Sequence, residues 1–360
     1  MDRRHFLAAG LGAAALLPAP ALAQTPPQVQ WRLASSFPSA LAPNSGVEFL
    51  CARVAALTDN RFQITPSADL APPLGVLDAT QAGTIEMGLT SLGYSVEKEP
   101  AFGFAAAVPF GLTARQQMAW LVHGGYDLTS EVLKAHGCLG LPAGNTGAEM
   151  GGWYLKEIRS ADDLKGLKIG ISGLGGTVLA AMGAEPQAIA AADLAGALGK
   201  GTIAAAAWVG PYDDEKLGLN KAAKLYYCPG WWAGNEMLWA VINLDKWRDL
   251  PPTYKAALEV ACWGACSLVQ ARYDAENPAA LKRLLAAGVQ VRPYPPDLLE
   301  AAAKATAAVM TDLAAKNAAF KKIYDGWKPF REAEGEWFGT AEAHFESALH
   351  PSAPQPAPAK

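Results

Sequence analysis

The stretch WRLASSFPSALAPNSGVEFLCARVAALTDNRFQIT, Trp31 to Thr65, changes its period twice, and those changes decide the fold class. Trp31–Ser36 alternates apolar and small polar residues, the two-residue repeat of a strand, and Phe37-Pro38 stops it. From Ser45 to Leu57 the apolar residues recur at helical spacing, and Arg61–Thr65 returns to strand. Leu74–Ala82 continues as a helix and Ile85–Thr90 as a further strand. Strand and helix alternating in this way give an α/β chain, a sheet with helices on its faces.

The pattern restarts downstream. Leu139–Leu141 and Gly152–Leu155 are short apolar runs, and Ser160 stands as a cap before an acidic first turn. Leu167–Ser172 and Ile203–Val209 read as strands, with helices over Gly175–Met182 and Asp193–Leu198 between them. Pro252–Tyr273, Pro296–Asn317 and Glu332–Leu349 are rich in Ala, Leu, Lys and Glu at helical spacing. These runs divide the chain into lobe 1 (30–145), lobe 2 (146–240), a return to lobe 1 (241–290), C-terminal helices (291–350) and a Pro/Ala-rich tail (351–360).

Residues 1–23 read as an export signal: Arg3-Arg4, an apolar run Phe6–Leu17 too short to span a bilayer, and the small-x-small site Ala21-Leu22-Ala23. Arg3-Arg4 before His5-Phe6-Leu7 also has twin-arginine character. Export with cleavage after Ala23 places the mature protein in a periplasm. A formal charge of −4, with no Lys/Arg run, excludes a nucleic-acid footprint. The five cysteines read as free core thiols, Cys262 and Cys266 being poorly aimed for a strain-free bridge along one helix face. No nucleophile elbow, His-Glu-x-x-His or phosphate-loop spacing occurs, and GISGLGGT (Gly170–Thr177) lacks the dinucleotide spacing. An enzyme is therefore not expected, nor a cofactor. Asp213-Asp214-Glu215 reads as a solvated or helix-capping cluster rather than a metal site.

Five ordered motifs carry a resemblance: WRLASSFP (Trp31–Pro38), AAAVPFGLTARQQMAW (Ala105–Trp120), GNTGAEMGGW (Gly144–Trp153), WVGPYDDEKLG (Trp208–Gly218) and YYCPGWW (Tyr226–Trp232). NAAFKKIYD (Asn317–Asp325) follows in the same order. Together they resemble the DctP-type solute-binding proteins of TRAP (tripartite ATP-independent periplasmic) transporters, above all the branch that binds α-keto acids such as pyruvate. The resemblance implies a two-lobed periplasmic-binding-protein fold with a ligand cleft between the lobes, and TRAP permease membrane subunits as partners. It also implies a homodimer that exchanges the C-terminal helix, here Glu332–Leu349.

The same resemblance places site residues. It implies a carboxylate-clamping arginine where this chain has Gly170, and cation-holding glutamates at Ala207 and Ala233; a family glutamine is replaced by Glu149. Lys168, two residues from Gly170, sits about 7 Å along a strand and cannot stand in. Asn145 and Trp208 are kept, and Phe37, Tyr94, Tyr212 and Trp232, on loops at strand ends, complete the expected ligand contacts. No metal is expected, because Glu149 alone is a poor cage for a hard cation that wants six or more oxygens. The expected ligand is accordingly larger, less anionic or more apolar than pyruvate. The alternatives are a conventional organic-acid binder using other contacts, and a ligand-sensing subunit.

Overall fold

The computed structural model describes residues 26–349; the signal segment and the tail lie outside them. Eleven strands form two sheets: β1 (Val29–Ser35), β2 (Phe62–Pro66), β3 (Met87–Ser91), β4 (Cys138–Asn145), β5 (Trp153–Tyr154), β6 (Lys168–Gly170), β7 (Glu185–Gln187), β8 (Ala205–Ala206), β9 (Leu225–Cys228), β10 (Met237–Asn243) and β11 (Gln290–Pro293). The first sheet runs β2-β1-β3-β10-β4 and the second β11-β9-β5-β8-β6-β7. β10 lies antiparallel between β3 and β4, while β1 pairs in parallel with β2 and β3.

Periodicity explains the layers. β10 is buried along its whole length, and its side chains alternate between two cores. Leu238, Ala240 and Ile242 pack with Val47, Leu50 and Val54 of the helix Ala42–Leu57 and with Tyr254, Leu258 and Ala261 of a helix spanning Pro252–Ala286. Met237, Trp239 and Val241 face Phe102, Phe104, Trp120 and Trp327. A strand covered on both faces reads as a continuous apolar run, as MLWAVI does. In the second sheet Trp153, Ala206 and Tyr226 meet Leu194 and Leu198 on one side. Tyr154, Ile169, Ala205 and Tyr227 meet Val178 and Leu298 on the other.

Three connections join the sheets: β4 to β5, β9 to β10, and the helix Pro252–Ala286 leading into β11. β10 begins at Met237, so the chain is back in the first sheet a few residues before the expected boundary at 240.

Three expected elements differ. Ile203–Val209 contributes only a two-residue strand, β8, because its partners β5 and β6 are themselves short. Helical spacing after Pro252 persists past Tyr273, through Pro278, to Ala286. Glu332–Leu349 is not one helix. Glu332 lies within a helix spanning Ala318–Thr340, and the backbone turns at Ala341 before a short helix, Glu342–Leu349.

Candidate functional site

A cavity opens between the two sheets, and the two shorter connections supply its charged wall. These segments are laced to each other. Thr146 N donates to the Glu236 carbonyl (3.0 Å), Glu149 N to the Ala233 carbonyl (3.1 Å), and Gly230 N to the Glu149 carbonyl (2.9 Å). The Glu236 amide donates in turn to Thr146 Oγ1 at 2.9 Å. This lacing sets Glu149, from the first connection, beside Glu236, from the second, and both side chains line the cavity.

Asn145 does a different job from the expected ligand contact. Fully buried at the end of β4, it donates from Nδ2 to Asn235 Oδ1 (2.9 Å) and accepts from Gly147 N (2.8 Å). Asn235 then donates to the Leu112 carbonyl at 2.8 Å. The pair pins the two connections from behind, and neither residue lines the cavity. Tyr212 also lies outside the lining; it accepts from Arg272 at 3.2 Å, with the Lys216 ammonium 3.9 Å from its ring centre.

The remaining expected residues, Phe37, Tyr94, Glu149, Gly170, Ala207, Trp208 and Trp232, all border the cavity. Phe37 follows β1 and stands 6.5 Å from Tyr94 and 6.4 Å from Trp208, ring centre to ring centre, so three aromatics share one wall. The Trp208 indole Nε1 is buried without a hydrogen-bond partner, a costly state. Trp231 turns away to stack on Phe110, with ring centres 5.5 Å apart.

Gly170 is not an empty socket. A Cβ placed there would meet Leu194 Cδ2 at 2.6 Å and Ile203 Cδ1 at 3.2 Å, so aliphatic side chains fill the space beside the strand. The glycines of GISGLGGT also have structural causes. Gly173 has φ +75° where the helix Gly173–Ala181 begins, and a Cβ on Gly175 would lie 2.7 Å from Trp232 Cβ.

Sequence reasoning missed Glu236, Ser91 and Tyr273, all in the lining. A signal for Glu236 was present: a carboxylate abutting the wholly apolar run MLWAVI must either reach solvent or face a cavity. Ser91 Oγ donates to Glu236, and Thr146 Oγ1 donates to Glu149 Oε1 at 3.3 Å. Burial raises the pKa of both carboxyl groups above the usual carboxylate range, and the charge of Glu236 raises Glu149 further. Both carboxylates and burial push the Tyr94 phenol up as well. Among the described residues no Arg, Lys or His lines the cavity.

The cluster expected to be solvated or helix-capping starts the helix Pro211–Leu217, and its two aspartates are buried rather than solvated. Asp213 accepts from Ala42 N (3.0 Å) and Tyr273 OH (2.6 Å). Asp214 accepts from Trp153 Nε1 (2.8 Å), Tyr226 OH (2.7 Å) and Gly210 N (3.1 Å). Only Glu215 reaches the surface, where it pairs with Arg283. All five cysteines are free thiols, Cys51 and Cys228 half-buried and the others buried.

Residues 37–317 match the model of the bacterial extracellular solute-binding proteins, family 7. The chain belongs to this family. It is 46% identical over 324 residues to a monocarboxylate 2-oxoacid-binding periplasmic protein of a Nostoc species, covering 89% of each chain. A TRAP transporter solute-binding protein from Bordetella bronchiseptica superposes with a TM-score of 0.88 at 42% identity, over 90% of this chain and 97% of that one. That protein is a mixed-occupancy dimer, with calcium and picolinate in one site and the other site empty. A relative from Pseudoalteromonas atlantica, holding sodium and pyruvate, gives a TM-score of 0.86 at 33% identity, over 89% and 99% of the two chains. The two sheets are thus the two lobes of a TRAP solute-binding protein.

The cations held by those relatives do not fit the residues here. Among the described residues no three His, Cys, Asp or Glu side chains gather as a metal site. The cavity offers two carboxylates, each already taking a hydroxyl hydrogen bond, against the six or more oxygens that calcium takes.

Proposed function

We propose that this protein is a periplasmic receptor that closes its two lobes on a small organic solute and hands it to the membrane subunits of a TRAP transporter. Its ligand is not a 2-oxoacid clamped by arginine and bridged by a cation. One observation carries this reading: a cavity that, among the described residues, is lined by no basic side chain but by two carboxylates and five aromatic residues. A charge-assisted hydrogen bond contributes about 1.5–3 kcal/mol, so absence of a two-pronged guanidinium clamp weakens carboxylate binding by about 100-fold or more. Apolar burial against Phe37, Tyr94, Trp208 and Trp232 supplies the affinity, and the glutamates supply the polar selection.

The family is one of solute-binding proteins, so the reading is binding without turnover. Export to the periplasm fits the family, and among the described residues no helix is long and apolar enough to cross a membrane. Trp337 and Phe345, on the last two helices, are 58% and 61% exposed, which supports pairing of two copies through this end. Truncation before Glu332 is expected to give a monomer in sedimentation; a truncated dimer would contradict helix exchange.

A thermal-shift screen against carboxylates, amines, sugars, aromatics and lipids tests the receptor reading. Saturable stabilisation by one solute class, with the solute recovered unchanged, is expected. Chemical turnover, or no response from any class, would overturn it.

A further inference from the structure

Each ionisable group around the cavity contributes to one field. Glu149 lies on the first connection and Glu236 on the second; Tyr94, Tyr273 and Tyr226 feel Glu149, and Asp214 adds negative potential from behind. Lys216 and Arg272 lie against Tyr212, outside the lining. One element opposes this sign: residues 172–175, where the helix Gly173–Ala181 begins, also line the cavity. A helix N-terminus is worth about half a positive charge, against as many as two negative ones from the glutamates. The carboxylates dominate.

We propose that the solute carries a protonated amine, seated between Glu149 and Glu236 and against the faces of Phe37, Tyr94 and Trp208. This rests on the receptor reading and names its solute class. An ammonium has three donors, and the carboxylates can accept them while the hydroxyls of Ser91 and Thr146 hold the acids in place. Aromatic faces attract the same cation through their quadrupoles. Oxygens elsewhere on the solute would face the amides at the start of the helix Gly173–Ala181. The site thus reverses the charge preference of a carboxylate receptor within the same fold.

Scanning fluorimetry of the purified protein tests this with skeleton-matched probes: phenethylamine, benzylamine and butylamine; 3-phenylpropionate, phenylacetate and valerate; and the primary amides of those acids. Each is run with chelator and with added calcium. Amines are expected to stabilise at concentrations at least about 10-fold lower than their matched acids, one charge-assisted contact being worth that much. Their response should strengthen from about pH 6 to about pH 8, as Glu236, pushed up to about 7 by burial, ionises while the amine stays charged. It should weaken in Glu236→Gln and vanish in the double variant Glu149→Gln/Glu236→Gln, whose own melting transition reports that it folds. Acids acting as well as amines, with or without calcium, would overturn the inference and leave the receptor reading standing. Amides matching amines, or no response to any probe, would overturn it too. The receptor reading falls only if the wider solute screen is also silent.

Discussion

Two pairs of acidic residues lie close together in this molecule, and they are held in opposite ways. Asp213 and Asp214 are buried and accept five hydrogen bonds between them, from Ala42, Tyr273, Trp153, Tyr226 and Gly210. Glu149 and Glu236 accept two, from Thr146 and Ser91, and face a cavity. The aspartates tie the helix Pro211–Leu217 to the first lobe through Ala42 and to the second through Trp153 and Tyr226. Their acceptor capacity is spent inside the protein. The glutamates keep theirs for something else, and a carboxylate that is buried yet unspent marks a ligand site.

The largest expected effect separates the pairs by stability. Asp214→Ala strands the Trp153 and Tyr226 donors in the interior, which should cost about 3 kcal/mol or more in urea unfolding. Replacing both glutamates by glutamine should leave the folded state as stable or more so, because two desolvated acids become neutral. If the glutamate variants unfold as readily as Asp214→Ala, the two pairs do the same job and the comparison fails.

A smaller effect is expected at Gly170. Restoring the family's arginine with Gly170→Arg drives a side chain into Leu194 and Ile203, and overpacking costs about 1–3 kcal/mol. Pyruvate binding should not return. Tight pyruvate binding by a stable Gly170→Arg protein would show that the site is missing one charge, not repacked.

A further effect is a pH trend in the ligand-free protein. Burial pushes Glu236 and Asp214 up to about 7 from ordinary values near 4. A folded pKa raised in this way gives stability that is complete below the unfolded value and lost as pH rises through the folded one. The melting temperature should therefore fall as pH rises from about 5 to about 8. The double glutamine variant should flatten that fall in part, leaving the share of Asp214. A wild-type curve flat over this window would contradict the burial of both acids.

The fold was legible where periodicity is strong. Trp31–Thr65 announces its strands because burial on one face dictates the alternation, whereas MLWAVI, buried on both faces and so without a period, was not among the expected strands. Ile203–Val209 misled because a run of alanines suits either a long strand or two paired residues beside an extended connection, and only the neighbouring strands decide its length. Around the site, the resemblance directed attention to Gly170, Ala207 and Ala233 but not to Glu236. It lies far from Glu149 in sequence, and only the backbone lacing of the two connections brings the carboxylates together. Asn145 was read as a ligand contact for the same reason: a side chain that pins the connections and one that touches the solute look alike until the lacing is known. Asp213 and Asp214 beside Pro211 suggested a solvated helix start, and their burial is a tertiary fact.

The central claim is that this TRAP receptor no longer holds a carboxylate through a guanidinium and a cation. Isothermal titration of the purified protein with pyruvate, in parallel with calcium, sodium and chelator, tests it most directly. No saturable heat is expected under any of the three conditions. Saturable pyruvate binding that requires calcium or sodium and disappears with chelator would contradict it.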